Sequence, residues 1–470
     1  AKKNADVLID ASQCLVFLGF VDAGSDFDHH FGVFDQGVQD LFLSQGITTV
    51  IGGNHGLSLA PFPGREFLKE FPVLNKYKAV FHWHSFREFA DALSKTKLHL
   101  NFGSLSGYLN LRAASVGASD RDLTVREREK LTSDLEKIFS SGAFGISIDF
   151  RREFAKNIPK EEIREVFAIA ARLKRLLSLD IEIGGISKEP REAKHLEVFL
   201  ALLKETGVSA VLADFHNPLK SEEEDHKLFK KIIAEFSSGA NIDFQISPLP
   251  LTALPISCFL PEIFKEKNPR KKIDLHREAF FRKEVIAGIS SHVSKIKTVA
   301  GVPKNILSFT GKTFEELTDL LHLSKEDILL FLAENSRFRA DVFFENCSYC
   351  GDELFSPSPT ILTSGNVYSS GVSVFGKNKA VPSFLKNAYK AAGESLEQAI
   401  PKMTSLPARK YQIAERGVIA EGVYADVVIA GEDLEITNVL VNGSLALEKS
   451  ENGKVKRPTP APSAGKFLKK

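Results

Sequence analysis

Eight short runs of apolar, β-branched residues recur along this chain, separated for most of its length by longer amphipathic stretches, and this alternation constrains the fold more than any other feature. The runs are Val16–Ala23, Thr48–Gly52, Leu98–Phe102, Gly145–Ile148, Asp180–Gly184, Ala210–Ala213, Ile242–Ile246 and Thr360–Thr363. Between them, Thr124–Ser140, Lys160–Leu177 and His195–Thr206 have helical spacing, and Thr124-Val-Arg-Glu127 has the spacing of a capping box. Short strands alternating with amphipathic helices predict parallel strands joined by crossover helices, and eight such units suggest an α/β fold, a closed (β/α)8 TIM barrel. The stretch 251–358 is too long for one crossover. It is expected to be a helical insertion between strands 7 and 8, with Thr313–Asn335 inside it.

Composition narrows the function classes. A net charge of +1, from 61 basic and 60 acidic residues, gives no field that would draw the chain to nucleic acid. No apolar run approaches the ~18 residues of a membrane span. The four cysteines, Cys14, Cys258, Cys347 and Cys350, are too scattered for a disulfide scaffold. Cys347-Ser-Tyr-Cys350 is a single C-x-x-C with no second pair, a weak ground for structural zinc. The 37 phenylalanines fit a heavily aromatic core. The chain opens on Ala1 and its one methionine is Met403, so the natural start is expected upstream or removed by processing. A cytoplasmic location is favoured, with export after processing as the alternative.

Near the C-terminus, Val427–Ala430 and Val439–Val441 read as strands, with Asn442-Gly443 as a tight hairpin turn before Ser444–Glu448. The tail 457–470, with Arg457-Pro-Thr-Pro-Ala-Pro, reads as an extended segment held on the surface.

Several longer motifs stand on this frame: Leu18-Gly-Phe-Val-Asp-Ala-Gly-Ser-Asp26; Gln45-Gly-Ile-Thr-Thr-Val-Ile-Gly-Gly-Asn-His-Gly-Leu-Ser-Leu-Ala-Pro61; Gly142-Ala-Phe-Gly-Ile-Ser147; Lys402-Met-Thr-Ser-Leu-Pro-Ala-Arg409; and Arg416-Gly-Val-Ile-Ala-Glu-Gly-Val-Tyr-Ala-Asp426. Together they resemble the N-acyl-D-amino-acid deacylases (D-aminoacylases) of the amidohydrolase superfamily. The resemblance implies a barrel over 16–410 and a small β-sandwich built from 411–456 and an N-terminal remnant, 1–15. By that resemblance most of the N-terminal half of the sandwich is absent from this sequence, so the expectation is that the open sheet edges are covered by a protein partner, a second copy of the chain or an upstream fragment.

In the resembling family, strand 1 ends in His-x-His, strand 2 leads to a bridging Cys, strands 5 and 6 each supply a His, and strand 8 supplies an Asp that takes a proton from metal-bound water. Here the strand-1 positions are Gly24 and Asp26, the bridging position is His55, strand 5 offers Gly185, strand 6 offers Asp214 with His216 two residues on, and strand 8 offers Gly365. On the substrate side, the strand-7 Tyr-Pro-Tyr is Ser247-Pro-Leu249, while Arg112 is retained. Two further clusters, Asp28-His-His30 and His82-Trp-His84, read as a solvated loop and as surface packing.

Glycine has no donor atom, so the expectation is a catalytically degenerate pseudoenzyme with a scaffold, partner-binding or subunit role and no cofactor. The vestigial pocket would comprise Gly24, Asp26, His55, Arg112, Gly185, Asp214 and Gly365. Two alternatives stand beside it. One is a small-molecule binding protein. The other is a metal-dependent hydrolase of N-acyl-amino-acid-type amide bonds with an unorthodox ligand set, Asp26, His55 and Asp214, using zinc or, given oxygen-rich ligation, magnesium or manganese.

Overall fold

The computed structural model describes residues 8–29, 31–64, 82–117, 121–150, 158–180, 191–213, 241–249, 251–260, 296–301, 308–336, 340–345, 360–365, 383–449, 455–456 and 464–470, with isolated positions between 283 and 293. Strands are numbered in chain order: β1 Cys14–Leu18, β2 Phe20–Asp22, β3 Ile47–Gly52, β4 Asn101–Ser104, β5 Ser106–Gly107, β6 Gly145–Asp149, β7 Leu176–Asp180, β8 Ala210–Ala213, β9 Ile242–Ile246, β10 Leu251–Pro255, β11 Ile296–Gly301, β12 Asp341–Glu345, β13 Thr360–Leu362, β14 Val427–Gly431, β15 Ile436–Val441, β16 Ser444–Lys449 and β17 Val455–Lys456.

The predicted α/β pattern is present. One parallel sheet runs β2-β3-β4 and a second runs β13-β9-β8-β7-β6-β5. Leu105 alone separates β4 from β5, so the parallel strands follow one another in sequence order. β3, β6, β7, β8 and β9 are buried along their whole length, which explains their near-continuous apolar runs. Helices pack outside them: Val125–Ser140 starts with the predicted Thr124/Glu127 capping box, Lys160–Arg172 ends before β7, and Arg191–Thr206 leads to β8. Phenylalanines dominate the core around β2 and β3. Phe27 meets Phe42 edge-on at 4.8 Å and Phe102 at 5.8 Å.

Two expectations are corrected. Val16–Ala23 is not one strand: β1 pairs antiparallel with β14, Cys14 opposite Gly431 and Leu18 opposite Val427, and only Phe20–Asp22 joins the parallel set. Gly19 between them has no room for a side chain, because a Cβ would lie 2.1 Å from Thr48 Oγ1. The insertion between β9 and β13 is not purely helical. It holds a three-stranded antiparallel sheet, β10-β12-β11, with its own apolar cluster around Phe259, Val299, Phe314 and Phe344; the β-branched run in Ile296–Gly301 and the apolar core of Asp341–Glu345 favour strands there. The stretch Thr313–Asn335 within it is helical, as two helices, Phe314–Leu321 and Lys325–Ser336, because His322 takes the left-handed conformation (φ 53°) that ends the first.

The C-terminal strands fall where the pattern put them. β1-β14-β15-β16-β17 form a five-stranded antiparallel sheet, and Asn442 (φ 51°) and Gly443 (φ 78°) make the two-residue turn between β15 and β16. Residues 464–470 lie extended against the amino-terminal side of the parallel strands. The Phe102 N–H donates to Lys466 O at 2.9 Å, and the Leu468 N–H donates to Phe102 O at 2.7 Å. No helix among the described residues is long and apolar enough to cross a membrane.

Candidate functional site

Four chain segments meet at the carboxyl ends of the parallel strands: the turn after β2, the loop after β3, the end of β6 and the end of β7. The loop after β3, Gly53-Asn-His-Gly56, is pinned on every side. The Gly53 N–H donates to Asp28 Oδ1 at 3.0 Å, and Asn54 Nδ2 donates to the carbonyls of Ser25 and Ile51 at 3.0 and 2.8 Å. Gly53, His55 and Gly56 all have left-handed backbones, with φ of 74°, 54° and 72°. For a histidine this conformation costs on the order of 1 kcal/mol, and such outliers collect at functional sites.

His55 carries the chemistry of this loop. It is buried, and its Nδ1 lies 3.0 Å from Oδ1 of Asp180, the last residue of β7, which has no solvent exposure. A carboxylate accepting from Nδ1–H makes Nε2 the lone-pair nitrogen and fixes the plane of the ring. This is the outer partner that a metal-bound histidine almost always has. The His29 ring stands edge-on to His55 at 6.2 Å, and its Nε2 lies 3.0 Å from the Leu57 carbonyl. Burial pulls the His29 pKa down and pushes that of Asp28 up. Asp28 is buried with one carboxylate oxygen, Oδ2, lacking a hydrogen bond. Asp26, half-buried on the same turn, adds to the negative field around both.

Asp22 closes the other side. It is fully buried and accepts from Thr363 Oγ1 at 2.6 Å, from the Ser364 N–H at 3.2 Å and from the Ser364 hydroxyl. Burial still pushes its pKa up against these donors.

The residues expected in the pocket fare differently. Gly24 and His55 lie at these strand ends, as does Gly365, where a Cβ would make ordinary contact with Ser247 at 3.5 Å. Gly24 is not an emptied ligand position: a Cβ there would fall 2.5 Å from the Gln245 amide and 2.8 Å from Thr363 Oγ1, so other side chains fill the space. Arg112 lies on the helix Tyr108–Val116, which follows β5 directly. It is buried with its Nε 3.1 Å from Glu162 Oε1, which also accepts from Tyr108, and it caps the Arg121 carbonyl. Gly185, Asp214, His216, His30, Cys347 and Cys350 lie outside the described residues. Asp28 and His29 are buried rather than solvated, and Trp83 is core rather than surface, donating from Nε1 to the Leu59 carbonyl at 2.7 Å.

Sequence reasoning missed Asp180. The run Asp180–Gly184 suggested a strand beginning there, whereas β7 is Leu176–Asp180 and Asp180 is its carboxyl end. The usable signal is Leu176-Leu-Ser-Leu, an apolar run whose first two residues read as the end of the helix Lys160–Leu177.

As to a metal, no three of His, Cys, Asp or Glu among the described residues stand close enough together to enclose one. The donors still fit in kind. A buried imidazole oriented by a carboxylate stands at the bridging position, a half-buried carboxylate lies on the turn after β2, and Asp214 follows directly on β8 in the chain.

No protein-family model matches the chain. It is 24% identical over 440 residues to an N-acyl-D-aspartate deacylase of Alcaligenes xylosoxydans xylosoxydans, covering 90% of this chain and 77% of that protein. Its fold is similar to that of the N-acyl-D-glutamate deacylase of Bordetella bronchiseptica, solved with zinc and a phosphonate mimic of the tetrahedral intermediate (TM-score 0.72, 20% identity, 98% of this chain and 90% of that one). It is also similar to a D-aminoacylase studied for its binuclear metal centre (TM-score 0.74, 20% identity, again 98% and 90%). These relatives correct two expectations. A chain related over nine tenths of its length to a deacylase, with the fold of zinc-bound deacylases, speaks for the hydrolase reading over a pseudoenzyme, and for a divalent metal over no cofactor. Over about nine tenths of its length the chain is thus similar to N-acyl-D-amino-acid deacylases, the family its sequence motifs resemble.

Proposed function

We propose that the chain is a metal-dependent hydrolase of N-acyl-amino-acid-type amide bonds, built on a closed (β/α)8 barrel and using an unorthodox ligand set. The observation that carries this reading is the His55–Asp180 pair at 3.0 Å, placed at the strand ends of a fold shared with deacylases. His55, Asp26 and Asp214 would hold the ion, with Asp180 orienting His55. Two carboxylates to one imidazole favour a harder ion than zinc, manganese or magnesium. When bound, a divalent ion polarises the amide carbonyl and makes water acidic enough to attack.

The chain's own residues supply the rest. By accepting from Nδ1–H, Asp180 selects the tautomer of the neutral ring in which Nε2 carries the lone pair. The hydrogen bonds of Asp22 with Thr363 and Ser364 tie the carboxyl end of β2 to that of β13. Gly365 has no side chain to accept a proton, so that role would fall to a group outside the last parallel strand.

The test uses the full chain, stripped of metal and reloaded separately with Mn2+, Mg2+ and Zn2+. Release of free amine from N-acetyl-D-aspartate, N-acetyl-D-glutamate and neutral N-acetyl-D-amino acids is then followed. Metal-dependent release, lost in His55→Ala, is expected. Absence of release with every metal and substrate in this panel would overturn the reading.

A further inference from the structure

One buried hydroxyl holds both ends of the turn that presents His55. Ser147 Oγ, in the middle of β6, donates to the Gly53 carbonyl at 2.5 Å and accepts from the Gly56 N–H at 3.1 Å. Ser147 has no solvent exposure, so these bonds have no water to replace them. Steric limits act in the same direction. A Cβ on Gly53 would lie 2.2 Å from the Leu105 carbonyl oxygen, and one on Gly56 would lie 3.0 Å from the Asp149 backbone nitrogen. His55, between them, is the side-chain-bearing residue forced into the left-handed region, a state that persists only where its surroundings over-determine it.

The neighbouring strands set the rest of the geometry. β6 and β7 pair in parallel with Ser147 opposite Ser178 and Asp149 opposite Asp180. Ser147 therefore fixes the backbone of His55 from one strand, while Asp180 fixes its ring from the next, two residues further along. If the loop turned, the ring would leave the carboxylate.

We propose that Ser147 is a positioning residue for the candidate active site: it sets the His55 imidazole against Asp180 without itself touching substrate or metal. Its effect on turnover rests on the hydrolase reading above; its effect on His55 geometry does not.

The experiment compares Ser147→Ala, which removes both bonds, with Ser147→Thr, which keeps the hydroxyl, in the full chain. The first readout is the long-range 15N–1H spectrum of 15N-histidine-labelled protein, with the His55 signals assigned from His55→Asn. Wild type is expected to show the Nδ1–H tautomer, Ser147→Ala a mixture of tautomers, and Ser147→Thr the wild-type pattern. The second readout is turnover with whichever metal supports it. In Ser147→Ala, kcat is expected to fall about tenfold, the low end for an outer-shell partner, with KM within about twofold, and Ser147→Thr to recover most of it. Should Ser147→Ala not fold, Ser147→Cys, which keeps the size of the group with a weak hydrogen-bonder, takes its place. An unchanged His55 spectrum in the folded Ala or Cys variant overturns the proposal, as does a folded Thr variant as impaired as Ala. If wild type hydrolyses nothing, the hydrolase reading falls while the spectrum still judges Ser147.

Discussion

Thr363 Oγ1 donates a 2.6 Å hydrogen bond to Asp22 Oδ1 across 341 positions of sequence. The Ser364 hydroxyl and N–H reach the same carboxylate. The last parallel strand is therefore tied to the first by side chains at their carboxyl ends. Asp22→Ala would strand two buried hydroxyls and two peptide N–H groups, those of Ser364 and Gly24, and is expected to cost about 3 kcal/mol or more. Thr363→Val, which removes one donor, should cost about 1 kcal/mol. Urea unfolding measures both, and a loss below that of Thr363→Val in the Asp22 variant would deny the closure its role.

Gly24 gives a prediction of opposite kind. Restoring a histidine here would drive its Cβ into Gln245 at 2.5 Å and Thr363 at 2.8 Å. Overpacking of this kind costs about 1–3 kcal/mol, so Gly24→His should melt at lower temperature with no gain in metal affinity. A variant as stable as wild type that binds Zn2+ more tightly would show that Gln245 moves aside.

Lys402 should make stability depend on pH on the alkaline side. It is 8% exposed on the helix Leu396–Met403, and burial pulls its ammonium pKa from 10.5 to about 8. Between those values the unfolded chain binds the proton more tightly, so this contribution to stability grows as pH rises from about 8 to 10.5 and is lost as pH falls through about 8. Lys402→Met is therefore expected to melt above wild type at pH 7, with the gap closing by pH 10.5. Thermal melts across that range decide it, and a gap independent of pH would refute the assignment.

The C-terminal segment should behave as a structural strand. Gly465 N–H donates to Leu98 O at 2.9 Å, and Phe467 packs between Phe89 (6.1 Å) and Phe102 (6.3 Å). A Cβ on Gly465 would lie 2.0 Å from the Leu100 carbonyl oxygen, which backbone cannot yield cheaply. Gly465→Ala is expected to cost about 2 kcal/mol and to expose the Phe102 amide, which donates to Lys466 O, to hydrogen exchange. Retained protection at Phe102 would mean that the segment stays seated.

Local signals carried well from sequence to structure. The Thr124/Glu127 capping box, the Asn442-Gly443 turn and the strands Ala210–Ala213 and Ile242–Ile246 are where the pattern put them, because caps, turns and apolar period act within a few residues. Boundaries between adjacent apolar runs were less legible. Val16–Ala23 is continuous in hydropathy yet divides between two sheets at Gly19, and β7 lies four residues before the strand expected at Asp180.

The sequence by itself determined the alternation of parallel strands and helices, the glycine-rich loop around His55 and the absence of a side chain at Gly24 and Gly365, since each follows from residue type and short-range spacing. Only the tertiary structure decided that His55 meets Asp180 across 125 positions, that Gln245 fills the space beside Gly24, and that Arg112 turns away to Glu162. Those outcomes depend on strand register and on which side chain reaches a shared volume first. Packing sets both, and no local pattern in the chain encodes them.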